Sequence, residues 1–200
     1  MRQLLCVLQS LHWHIPARHS IYLLLPLLLM LWTGWAGAVE FRIHNVQISS
    51  QDERYYLSAQ IDYQLSEKAL EALTNGVPLT LEVRVLVEKV WHRFWEQRPL
   101  EKRLRYQIRY HALTGLYRVV DLQNGEETHF VTREAALNAL GELSNLLLLE
   151  RSVLTPEVAY HVRLRADLDI ESLPLPLRPL AYLGRGWKLS SGWTQWPLKQ

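Results

Sequence analysis

Between Tyr55 and Leu65 the chain alternates without a break. Tyr55, Leu57, Ala59, Ile61, Tyr63 and Leu65 stand on one parity, and Tyr56, Ser58, Gln60, Asp62 and Gln64 on the other. A period of two sends successive side chains to opposite faces of an extended strand, so one face is buried and the other wet. Wound into a helix, the same residues would be scattered around its whole circumference. The period recurs in Leu79, Leu81, Val83, Val85 and Val87, opposed by Glu82, Arg84 and Glu88, and Trp91 and Trp95 continue that odd-numbered face. It returns in Leu104, Tyr106, Ile108 and Tyr110, opposed by Arg103, Arg105, Arg109 and His111, and again in Tyr160, Val162, Leu164, Ala166 and Leu168. Phe41, Ile43, Val46 and Ile48 give an earlier strand whose alternation slips by one near Asn45, as a β-bulge would cause. Turn signals at Thr114-Gly115 and Asn124-Gly125 join neighbouring strands as antiparallel hairpins.

Helical signals are few. Ser66 caps a short helix over residues 67–74, which Asn75-Gly76 and then Pro78 close. Thr132 caps a longer helical pattern over residues 133–149, although the leucines at its end, 146–149, read equally well as a buried strand. Pro174, Pro176 and Pro179 predict an extended segment there, because proline fixes φ and removes a donor. The expected fold is mainly β: an antiparallel β-sandwich of about seven to eight strands with two helices. A single curved sheet packed on one helix is the alternative.

Residues 21–35 carry no charge. Arg2 and Arg18 precede them and the small residues Ala36-Gly37-Ala38 follow, which is the layout of a secretory signal. Residues 1–38 are therefore read as a signal segment and 39–200 as one exported β-rich domain. The competing reading is an uncleaved anchor, since residues 21–39 approach the ~20 residues that a bilayer requires. Removing 1–38 takes away Arg2, Arg18 and Cys6, leaving 20 Lys and Arg against 20 Asp and Glu and no cysteine. That excludes a disulfide scaffold, a thiolate metal site and a cysteine nucleophile from the exported part.

No motif for catalysis stands out. His44, His92, His111, His129 and His161 lie one per strand, without the tight spacing of a zinc site. Neither a nucleophile elbow nor a phosphate loop is present. Asp167 and Asp169 share a strand face with Arg163 and Arg165 and read as solvated ion pairs; His111 with either aspartate is the best pair an enzyme could offer. No catalytic, cofactor or metal residue is assigned, and the domain is read as non-enzymatic. Charge is more telling: residues 84–118 hold nine Lys and Arg against three Asp and Glu, and residues 119–171 hold four against ten. Arg84, His92, Arg103, Arg105, Arg109 and His111 form a candidate face for an anion or a partner, unless it pairs internally with the acidic half. Trp187, Trp193 and Trp196 form a candidate aromatic tail patch, unless they cover an open end of the core.

Several short pieces in fixed order carry a family resemblance. They are Ala69-Leu70, Asn75-Gly76-Val77-Pro78-Leu79, Trp91, Tyr110-His111-Ala112-Leu113-Thr114, Phe130 leading into Glu134-Ala135-Ala136-Leu137, Leu168-Asp169, Leu173-Pro174, and Trp187, Leu189, Ser191 and Trp193 at every second position. Together they resemble DUF4390, an uncharacterised domain-of-unknown-function family of exported proteins from Gram-negative bacteria. The resemblance implies periplasmic export, or an inner-membrane anchor facing the periplasm, and a shared fold; it implies no catalytic residue. It also points towards envelope sensor kinase systems. The expected function is a non-enzymatic periplasmic binding or interaction module, with a protein or an anionic envelope component as partner and no nucleic acid. An anchored envelope assembly factor and an enzyme with an unrecognised site are the alternatives.

Overall fold

A computed structural model describes residues 41–90, 100–184 and 186–199. The predicted signal segment and the positions Trp91, His92 and Trp95 lie outside the described residues. Strand β2 (Arg54–Tyr63) is the central strand of a three-stranded sheet in the order β1-β2-β7, with β1 spanning Phe41–Gln51 and β7 Glu142–Glu150. Its odd-numbered residues point inward, with Tyr55, Leu57 and Ile61 almost fully buried. The second sheet has six strands in the order β6-β5-β4-β3-β8-β9, and every pairing in both sheets is antiparallel. These strands are β3 (Leu79–Lys89), β4 (Leu100–His111), β5 (Leu116–Asp121), β6 (Glu127–Phe130), β8 (Tyr160–Leu168) and β9 (Thr194–Leu198). Leu79, Leu81, Val83, Val85, Val162, Leu164 and Leu168 of this sheet join Phe41, Leu57 and Ile61 of the other in one continuous core. The expected sandwich is thus present, with nine strands and three short helices among the described residues rather than seven or eight strands and two helices.

The expected slip in β1 is a bulge. The register with β2 shifts between His44 and Gln47, and Asn45 takes φ 53°. Helix α1 (Glu67–Thr74) starts at Ser66, whose hydroxyl accepts from the Ala69 N–H at 3.2 Å and donates to the Gly186 carbonyl. Gly76 at φ 78° then turns the chain towards β3.

The longer helical pattern divides in two. Helix α2 spans only Arg133–Gly141, and residues 142–150 form β7. A helix continuing through Leu149 would leave one side of β2 without hydrogen-bond partners. Pairing Leu143 with Ala59, Leu146 with Leu57 and Leu149 with Tyr55 satisfies that side and buries Leu143 and Leu149. Gly141 makes the junction possible, because a Cβ there would lie 2.0 Å from the Ile61 carbonyl oxygen.

The proline-rich segment is not extended as expected. A 3-10 turn over Leu175–Leu177 runs into helix α3 (Arg178–Leu183), with the Arg178 Nε donating to the Leu173 carbonyl at 2.8 Å. Pro174 caps the turn and Pro179 sits in the first turn of α3, where no intrahelical N–H is required. Among the described residues no helix is long and apolar enough to cross a membrane.

Candidate functional site

The outer face of the six-stranded sheet is built from the wet parities of β4, β3 and β8. Register places Arg103, Arg84 and Arg165 in one row across these three strands, and Arg105, Glu82 and Asp167 in the next. Three arginines in register repel one another unless carboxylates sit between or beside them. The structure supplies these. Arg84 donates to Asp167 at 2.9 Å, and Arg165 Nε donates to the other oxygen of the same carboxylate at 2.8 Å. Glu82 Oε1 lies 3.3 Å from Arg84 Nε. Arg105 donates to Asp169 at 2.8 Å and to the Ser172 hydroxyl at 2.7 Å, while Arg103 donates to Glu101 at 2.6 Å and Arg163 to Glu88 at 3.0 Å. Five arginines therefore face five carboxylates.

These contacts set the ionisation of Asp169 and Glu101. Burial works against the charged form of Asp169, but hydrogen bonds from Ser172, Arg105 and the Glu171 N–H outweigh it and hold the carboxyl below its usual range. The hydrogen bond from Arg103 holds Glu101 low as well. Trp193 completes the network, with the guanidinium carbons of Arg163, Arg84 and Arg165 at 4.9, 5.3 and 5.8 Å from its ring centroid. A π face beneath three cations offsets part of their repulsion. Above Glu82, Arg84, Arg103, Arg105, Asp167 and Asp169 lies an open groove of about 820 Å³, with Glu171 and Lys188 among its further lining residues.

The sequence-derived basic face is thus divided. Arg84, Arg103 and Arg105 meet in the groove, whereas His92 lies outside the described residues. Arg109 is four residues beyond Arg105, about 13 Å along β4, and donates to the Gly76 carbonyl at 3.0 Å. His111 lies farther on, with a buried Nε2 that has no hydrogen-bond partner among the described residues. His111 and the aspartates do not meet: Leu168 is level with Tyr106 through Leu81, and five residues of β4 separate that level from His111, about 16 Å. No group of three His, Cys, Asp or Glu side chains among the described residues is arranged to hold a metal ion.

The aromatic tail patch does not exist as one surface. Trp187 is 7% exposed and belongs to the core, because the tail from residue 187 runs back along β8: Leu168 N–H donates to the Leu189 carbonyl and Ser190 bridges to Asp167. Trp196 sits on β9 opposite Val162 and packs against the core. Trp187 nonetheless lines the groove, and of the three only Trp193 stacks against the arginines. Sequence reasoning missed the roles of Glu82, Arg163 and Trp193 in this site. Their parity was legible, but the adjacency of β3 and β8, whose paired positions such as Lys89 and Tyr160 lie 71 or more residues apart in sequence, was not.

A family model described as a domain of unknown function (DUF4390) matches residues 38–197. The chain belongs to this family. The DUF4390 match runs from the start of β1 into β9 and includes every groove residue. No curated protein and no solved structure matches the chain.

Proposed function

We propose that this DUF4390 domain works outside the cytoplasm as a non-enzymatic binding module, with the groove across β4, β3 and β8 as its binding face. The observation that carries the reading is a broad groove floored by arginines and carboxylates that hold one another in place through hydrogen bonds and ion pairs. Such a floor presents its polar groups in one arrangement, so a partner pays little ordering cost at that surface. Groove charge is almost balanced, Arg84, Arg103, Arg105, Arg165 and Lys188 against Glu82, Asp167, Asp169 and Glu171. That balance favours a protein surface bearing both signs over a purely anionic envelope component, because complementary patterns of charge confer specificity. The resemblance to exported Gram-negative proteins makes the periplasmic part of an envelope sensor system the class of partner to test first.

Charge reversal at the rim tests this directly. Arg103 is more than half exposed and Lys188 is exposed, so Arg103→Glu with Lys188→Glu leaves the core untouched. Affinity capture from native envelopes is expected to recover a partner with the wild-type domain and to lose it with this variant. Equal recovery by both would remove the groove as the binding face.

A further inference from the structure

Among the described residues, the five most exposed large apolar side chains are Leu113, Leu183, Val131, Leu175 and Leu180, each at least 64% exposed. All five lie at one end of the sandwich. This is the end where β3 begins at Leu79, opposite Ile108 near the end of β4, and where β8 ends opposite Leu81. Leu113 occupies the turn between β4 and β5. Val131 follows Phe130, which is level with Tyr117 and Tyr110. The three leucines belong to the 3-10 turn and α3, just beyond β8.

Phe41 enters the domain at this same end. Its ring meets that of Tyr63 edge-on at 4.9 Å, and Ser66, three residues beyond Tyr63, bonds to Gly186 next to α3. Only residues 36–40 separate Phe41 from the uncharged, leucine-rich segment 21–35. Six Cα steps reach at most roughly 20 Å. The covalent chain that leads into the apolar segment therefore starts at the apolar end of the domain.

We infer that this end of the sandwich is a membrane-contacting surface, whose occupant is the phospholipid bilayer addressed by residues 21–35. The inference rests on the reading of residues 21–39 as an uncleaved anchor and makes no use of the groove. The placement of the apolar groups favours lipid over a protein. They stand on three separate turns, spread from β6 to β8 across four strand spacings, roughly 19 Å. A protein partner needs a continuous, complementary patch, whereas the headgroup and acyl boundary of a bilayer accepts isolated apolar tips. Contact at this depth is shallow, through the tips of turns alone.

Position-specific labelling of the full chain tests the proposal. In a Cys6→Ser background, an environment-sensitive fluorophore is attached at Leu183→Cys, at Leu113→Cys, or at Ser50→Cys beside the β1–β2 turn at the opposite end. Vesicles of phosphatidylethanolamine with phosphatidylglycerol are then added. The labels at 183 and 113 are expected to shift to the blue and brighten at least about threefold, as for apolar side chains entering the interface, while the label at 50 stays unchanged. Responses at 183 and 113 no larger than at 50 would overturn the inference. So would a shift that needs no vesicles and grows with protein concentration, since the occupant would then be a second copy. Because these residues are exposed, Leu113→Asp with Leu183→Asp keeps the fold; it is expected to weaken vesicle contact about tenfold, read from quenching of a label at Leu180→Cys, and unchanged quenching counts equally against the inference.

Discussion

Asp167 is the carboxylate on which the row of arginines depends, and Asp167→Asn is the substitution that tests the network. Asparagine keeps the shape but replaces one acceptor oxygen with a donor, so one of Arg84 and Arg165 meets a like group and both lose a charge-assisted hydrogen bond. Such bonds contribute about 1.5–3 kcal/mol each. Breaking a fully buried pair costs about 3–5 kcal/mol and an exposed one about 0–1. Asp167, Arg84 and Arg165 retain 15, 28 and 32% of their side-chain exposure, which places this pair between those limits. A loss of about 2–3 kcal/mol is expected. With a urea m value of about 2 kcal/mol/M, the unfolding midpoint falls by about 1–1.5 M at unchanged m. Glu127→Gln is the matched control, because Glu127 pairs with Arg118 on the exposed edge and its midpoint is expected not to move. Arg165→Met should also cost less in the Asp167→Asn background than in the wild type. The reasoning fails if Asp167→Asn moves the midpoint no further than Glu127→Gln.

Gly141→Ala forces a Cβ to within 2.0 Å of the Ile61 carbonyl oxygen, so α2 must lift from β2; thermal melts are expected to show a loss of about 3 kcal/mol, whereas Gly125→Ala, with open space around it but φ 76°, costs only about 1. The Tyr63 hydroxyl is buried without a partner among the described residues, so urea unfolding of Tyr63→Phe is expected to show unchanged or slightly raised stability, by up to about 1 kcal/mol. Burial, with Tyr106 adding to it, also pushes the Tyr63 phenol well above its usual pKa. The unfolded phenol loses its proton near pH 10 and the folded one does not, so stability present below about pH 10 is lost as pH rises; alkaline unfolding should move to higher pH in Tyr63→Phe. Asp169 has the opposite sign: its carboxyl is held low in the folded state, so its contribution is present above about pH 4 and disappears as pH falls further. Asp169→Asn should flatten that acid limb of the stability curve.

Strand identity was legible wherever a single parity is buried, as in β2, β3 and β8, because a one-residue slip would expose Leu57 or Val83. The bulge at Asn45 was legible for the same reason. What periodicity could not resolve was the leucine run at 146–149, where four apolar residues in succession leave no polar parity to distinguish helix from strand. The open edge of β2 decides it, and that edge is a tertiary fact. Leu173 to Pro179 was misread because proline at the start of a helical turn lacks nothing, so the same residues that forbid a helix interior permit its first turn.

The site followed the same division. Arg103 and Arg105 could be placed on one wet face from sequence, and the acidic residues that neutralise them could be seen as a surplus farther along. Their meeting depends on β8 pairing with β3, a long-range choice that turns opposite local charges into a balanced network. Trp193 was grouped with Trp187 and Trp196 by composition, yet the return of the tail along β8 buries one, packs another and leaves Trp193 alone under the arginines.

Photo-crosslinking in living cells tests the groove most directly. A photoreactive residue at Lys188 or Arg103 looks into the groove, and one at Gln60 looks out from the three-stranded sheet on the opposite face. The account predicts a discrete crosslinked partner from positions 188 and 103 and none from 60. Crosslinks from position 60 alone, or equal products from all three, would contradict it.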